Sequence, residues 1–201
     1  AYPGAVCMFL NGALGDISPR YQRRDQSFAE VARLGNRLGE HIIKLLAQPQ
    51  VEIDTGLNWG SVKVELPFRT FSTQAAAMPV IPTGVSRIEE TRAQGSAIQA
   101  TLHQAIGDRL TQAATLSWLK IGSLTLLGVP GAHFNALAAA IRAVSPHALV
   151  VGLANDYIGY LPTQVAIDFQ SYEALSSPYD ARALDQIEAA LVNQLSQPPY
   201  Q

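Results

Sequence analysis

Phe9-Leu10-Asn11-Gly12-Ala13-Leu14-Gly15-Asp16-Ile17-Ser18-Pro19-Arg20 passes from an apolar run into a tightly constrained polar turn. Residues 5–10 are all apolar and carry no charge, which predicts a strand covered on both faces. Gly12 and Gly15 open backbone conformations closed to other residues, while Pro19 fixes its own φ and pushes Ser18 toward an extended shape. Asp16 and Ser18 are thereby displayed on a shaped loop at a strand end, a place where chemistry often resides. A hydroxyl two residues from a carboxylate can serve as a nucleophile or as a donor to a developing oxyanion. It can equally belong to a plain turn in which Asp16 bonds its own backbone, and this stretch alone leaves the three readings open.

The chain has 201 residues, 48% of them hydrophobic, enough for one folded domain with a substantial core. Lys and Arg number 14 against 16 Asp and Glu, for a net charge of −2, and no block of like charge appears. That balance argues against a nucleic-acid partner or an anionic membrane surface and points to a small, neutral one. The single cysteine, Cys7, rules out an internal disulfide and, inside the apolar run, reads as a small core hydrophobe; the compartment stays open. No apolar segment approaches the roughly 20 residues that span a bilayer, so no transmembrane segment is expected. No signal-peptide pattern opens the chain. It begins at Ala1 rather than Met, with a strand almost at once, so a piece of a longer protein is expected.

Ser27-Phe28-Ala29-Glu30 has the capping-box pattern and predicts a helix to about residue 47. Val31, Leu34, Leu38, Ile42, Leu45 and Leu46 recur at helical spacing, leaving Arg33, Arg37, Glu40, His41 and Lys44 to solvent. Residues 59–66 alternate well enough for a strand with one wet face that Pro67 ends, and 68–82 read as a loop able to lie over a pocket. Residues 86–114, polar and interrupted by Gly95 and Gly107, read as one or two surface helices. Two runs, 116–121 and 124–129, flank Gly122-Ser123 as a tight hairpin, and a helix is expected over about 133–144. The apolar run 148–153 ends in a loop, 154–163, rich in side-chain oxygens and holding Tyr157 and Tyr160. An amphipathic helix over 180–195 closes the chain. The pattern predicts an α/β architecture, a mixed sheet layered with helices, with the loops after Leu10, Val129 and Leu153 at one rim.

Three separated stretches then fit one family: Gly15-Asp-Ile-Ser-Pro19, Gly128-Val-Pro-Gly-Ala132, and Gly152-Leu-Ala-Asn-Asp-Tyr-Ile-Gly-Tyr-Leu-Pro-Thr163 continuing to Gln170-Ser-Tyr-Glu-Ala174. Their order and spacing resemble the neutral/alkaline, non-lysosomal ceramidases and their shorter bacterial relatives. The resemblance implies a zinc amidase that cleaves the N-acyl bond of ceramide to a fatty acid and a sphingoid base. It implies further that Tyr160 stands at a metal-ligand position, that Tyr172 is its partner near the scissile amide, and that Asp16 and Ser18 belong to the motif beside the reacting carbonyl. Whether Ser18 attacks or orients water and substrate is not decided by the motif. A zinc-bound water would suffice as nucleophile.

Two departures accompany the resemblance. The family's glutamate ligand falls on Ala132, which has no donor atom, and neighbouring His133 leaves the backbone in another direction. The family's histidine-bearing first half has no counterpart, and His41, His103, His133 and His147 occur singly without ligand spacing. The chain is therefore expected to be the C-terminal half of a ceramidase-like catalytic domain, binding zinc weakly by itself. Its expected partners are the missing N-terminal half and a small amide or sphingolipid substrate, with no appended immunoglobulin-like domain. The rival classes are a degenerate relative that binds a lipid-like or other amide ligand without turnover, and a purely structural half-domain.

Overall fold

A computed structural model describes residues 3–49, 56–70 and 84–196. In chain order these form a short 3-10 turn (Pro19–Tyr21), α1 (Phe28–Leu46), β1 (Leu57–Pro67), α2 (Arg87–Ile106), β2 (Thr111–Ile121), β3 (Leu124–Val129), β4 (Ala132–His133), α3 (Asn135–Val144), β5 (Ala148–Gly152), β6 (Tyr160–Leu161), α4 (Gln164–Asp168), α5 (Tyr172–Leu175) and α6 (Arg182–Ser196). The expected hairpin is present: Ile121 faces Leu124, and Gly122 holds φ +54°, a value glycine adopts without strain. β1 adds antiparallel to β2 and β5 adds parallel to β3, so the main sheet is mixed, in the order β1-β2-β3-β5. β4 and β6 form a separate parallel pair. A mixed sheet carrying helices is the α/β architecture the sequence pattern predicts.

Register explains which face is dry. Val62, Val64 and Leu66 share a face with Ala114 and Leu116, and with Leu127, Val129, Ala148 and Val150 on the neighbouring strands. α3 and α6 cover that face with Leu137, Ile141, Leu184, Ile187 and Leu191. A leucine or isoleucine fully buried here contributes roughly 1.5–3 kcal/mol relative to exposure. The alternate residues of β1, among them Trp59, Ser61, Lys63 and Glu65, face outward as expected of a strand with one wet side.

Several expectations are corrected. Residues 5–10 form no strand and are not covered: Val6 is 89% and Phe9 77% exposed, and Cys7 is exposed as well. An apolar run specifies that it wants a neighbour without specifying which one, and among the described residues none lies along it. Of the one or two helices expected over 86–114 there is one, which stops short of 114: Gly107 (φ +59°) ends it, and Thr111–Ile121 is strand. Alternating burial, with Gln112 and Ala114 more buried than Thr111 and Ala113, was concealed there by residues of low strand propensity. The helix expected from residue 133 starts at Asn135, because His133 is held in β4. Of the expected loop 68–82, residues 71–82 lie outside the described ones; Phe68 bridges Tyr179 and stacks on its ring at 5.5 Å.

Ser27 caps α1, its Oγ accepting from the Glu30 amide at 3.2 Å. The reciprocal half of the capping box is absent, since Glu30 instead accepts from Arg33 and from the Arg24 amide. Those bonds, Arg33 first, hold the Glu30 carboxyl down to about 2. The apolar stripe of α1 stays in solvent, with Val31 66% and Leu38 53% exposed.

Candidate active-site cleft

The loop bearing Asp16 and Ser18 is fastened by backbone at two points on the N-terminal side of these residues. The Gly15 amide donates to the His133 carbonyl and the Gly152 amide to the Asn11 carbonyl, both at 2.9 Å. Gly15 is buried against the Ala132 carbonyl oxygen, with the Phe134 ring 2.7 Å and the His133 carbonyl carbon 2.9 Å from where a Cβ would stand. Only a residue without a side chain fits that approach. The three loops expected at one rim do meet there.

Asp16 has a definite structural task. α3 has no side-chain cap of its own, and the Asp16 carboxylate accepts from the Asn135 amide at 2.8 Å, placing a negative charge on the helix N-terminus. The Asx-turn open to it from the sequence is thus replaced by a cap 119 residues away. Ser18 caps the 3-10 turn, its Oγ accepting from the Arg20 amide (3.3 Å) and the Arg20 Nε (3.1 Å). An oxygen already accepting from a guanidinium is a weakened nucleophile and a better donor, so this geometry favours orientation of a carbonyl over attack.

Tyr160 arrives from the other side. β6 runs parallel to β4 with Tyr160 in register with Ala132, so the two side chains leave on the same face and His133 leaves on the opposite one. Burial, then the neighbouring Tyr172, Glu173 and Tyr157, push the Tyr160 phenol above its ordinary range, opposed by Arg20. The phenol therefore stays protonated. Asp16, Ser18, Arg20, Tyr160 and Glu173 line one cleft of about 390 Å³. Tyr172 packs edge-on against Tyr160, ring centroids 6.5 Å apart. Glu173 and Arg20 carry no signal of their own in the sequence, although Glu173 lies within the Tyr-Glu-Ala stretch and Arg20 ends the opening one.

The donors on this chain do not fit a zinc ion by themselves. Ala132, 3% exposed, offers no atom beside Tyr160, and among the described residues no three His, Cys, Asp or Glu side chains gather. His41 and His103 ride on α1 and α2, and His147 precedes β5. His133 is fully buried beneath the cleft loop, neither ring nitrogen having a well-formed hydrogen bond. Burial pulls its pKa down to about 4, the Gly131 backbone and Asp16 opposing weakly.

A buried neutral imidazole makes a signed prediction. With a folded pKa of about 4 below an unfolded 6.5, the unfolded chain takes the proton first, so stability is lost as pH falls from 6.5 toward 4. The full loss is roughly 3 kcal/mol. Urea unfolding at pH 7 and pH 4.5 is expected to show His133→Leu losing less stability than wild type over that interval. Equal losses in the two proteins would remove His133 as the cause.

No family model matches this chain, and no curated protein gives a significant match. Solved structures do. The neutral ceramidase from Pseudomonas aeruginosa superposes with a TM-score of 0.56 at 19% identity, over 84% of this chain and 32% of that one. A ceramidase solved in complex with C2 gives 0.62 at 16% identity, over 96% of this chain and 40% of the other. The likeness establishes a shared fold, and this chain spans about a third to two fifths of the length of those proteins.

Proposed function

Because this chain has the fold found in neutral ceramidases, we propose that it forms the C-terminal half of a catalytic domain that hydrolyses an N-acyl amide, ceramide-like in kind. The observation that supports this reading is the meeting of Ser18, Asp16 and Tyr160 in one cleft, from segments some 140 residues apart. In the reaction, water adds to the acyl carbon, the C–N bond breaks and the amine leaves with a proton. Ser18 donates a hydrogen bond to the carbonyl oxygen as charge grows on it. Tyr160, kept protonated by burial, is a second donor, and Tyr172 positions its ring. Asp16 acts through the scaffold, holding the loop to α3. The zinc that the reading implies needs ligands that this chain does not hold, and we assign them to the other half of the domain.

Ala132 favours a second reading, a relative that binds a lipid-like amide without turnover. Incubating the zinc-supplied intact protein with a fluorescent ceramide and with short N-acyl amines separates the two. Release of acid and amine supports hydrolysis; saturable binding without release supports the second reading; neither binding nor release sinks both.

Restoring a donor tests the register directly. In the intact protein Ala132→Glu is expected to raise zinc affinity by on the order of tenfold or more, since the carboxylate leaves on the Tyr160 side. It should also cost about 1–3 kcal/mol in the metal-free protein, because the site is buried. Competition with a chelating dye measures the first effect. Unchanged zinc affinity would show that position 132 does not face the metal.

A further inference from the structure

α5 has two sides. Glu173 lines the cleft just described, whereas Leu175 lines a second cavity of about 490 Å³, within the usual range of small-molecule sites. Its wall includes Arg69, just beyond β1, and Asp180, just before α6. Gln99 on α2, Gln164 on α4 and Gln170 add amide groups, and Ile167 and Leu175 add apolar surface.

Arg69 Nη2 is buried and unpaired among the described residues. The carboxylate beside it is already taken: Asp180 Oδ1 accepts from the Arg182 amide (2.9 Å) and Nε (3.0 Å), and Oδ2 from its Nη2 (3.1 Å). Burial lowers the Arg69 pKa from the usual guanidinium value, and Asp180 opposes that shift. A guanidinium nevertheless keeps its proton, so the cavity wall holds a partly buried cation whose Nη2 has no hydrogen-bond partner among the described residues. The group that fits it is planar and anionic, with two oxygens to meet the guanidinium fork. The apolar side chains of Ile167 and Leu175 in the same cavity suit an aliphatic chain.

We propose that this cavity binds an aliphatic carboxylate, its head gripped by Arg69 and its tail lying on Ile167 and Leu175. The site is separate from the catalytic reading and does not depend on it. Asp180 competes with the ligand for Arg69, and Arg182 keeps Asp180 occupied.

Titration calorimetry of the intact protein with octanoate tests this proposal without reference to turnover. One saturable site is expected, weakened about tenfold or more by Arg69→Gln, one charged contact being removed. Asp180→Asn should strengthen it severalfold by removing the competing charge, which keeps the test decisive if the Arg69 variant folds poorly. Octanol should bind far more weakly than octanoate, and Ser18→Ala should bind octanoate as wild type does. The proposal is overturned if octanol matches octanoate, if inorganic phosphate binds as tightly, if Asp180→Asn leaves the affinity unchanged, or if Ser18→Ala abolishes binding.

Discussion

Ser18→Ala and Tyr160→Phe are each expected to lower amide turnover of the intact protein by about 10²–10³, the usual loss when one donor to a developing oxyanion is removed. Both changes delete a single hydroxyl from a partly exposed cleft and leave apolar packing in place. Unfolding free energy should therefore move little: Ser18→Ala by up to about 1 kcal/mol through the lost cap on the 3-10 turn, and Tyr160→Phe by less. The loss should fall on kcat rather than KM, because the bonds strengthen as charge develops. If the hydroxyls serve one oxyanion, the double variant should lose much less than the product of the single losses. Steady-state kinetics on all three proteins, with urea midpoints alongside, settle the matter. Full activity in the double variant would remove the case for catalysis in this cleft and leave Ser18 as a turn residue.

Gly15→Ala should carry the largest structural penalty of any single methyl added to the loop. Its Cβ would meet the Ala132 carbonyl oxygen, part of the backbone that also pairs with β6, so relief requires moving a strand rather than a side chain. Overpacking of this kind costs about 1–3 kcal/mol, and the rigid neighbour places the expectation near the upper end. Gly12→Ala is the control, since nothing stands within 4 Å of its Cβ. Chemical unfolding of both is the measurement, and similar midpoints would mean the close approach is not maintained in solution. The displaced loop also carries Asp16, so a helical signal weakened at α3 should accompany the loss.

Much of the fold was legible because it rests on local signals. Gly122-Ser123 between two apolar runs names its hairpin, and the spacing of Leu184, Ile187 and Leu191 names the buried stripe of α6. β4 and β6 were not legible, since two-residue strands are too short to show a period. The capping of α3 by Asp16 escaped for a different reason: a partner 119 residues away leaves no trace in a local pattern. Within the cleft, Ser18 and Tyr160 stand in loops that follow apolar runs and in motifs that carry the family resemblance, whereas Glu173 and Arg20 come from short helical turns whose direction only tertiary packing decides. The apolar composition of residues 5–10 predicts that they are covered, and composition cannot name the covering surface.

The long-range fastening of the cleft loop has a consequence for the order in which the chain folds. The hairpin of β2 and β3 closes over two residues, while the bonds from Gly15 to His133 and from Asn11 to Gly152 close loops spanning most of the chain. Loop closure must be paid for before such contacts return anything, so the hairpin forms early and the cleft late. During synthesis Asn11 and Gly15 wait for β4 and β5 before these bonds can form. A ribosome-bound chain stopped before residue 148 lacks β5 entirely and has no strand to receive Asn11. Hydrogen exchange should show the same hierarchy in reverse, with the Gly15 and Gly152 amides opening well before those that join β2 to β3.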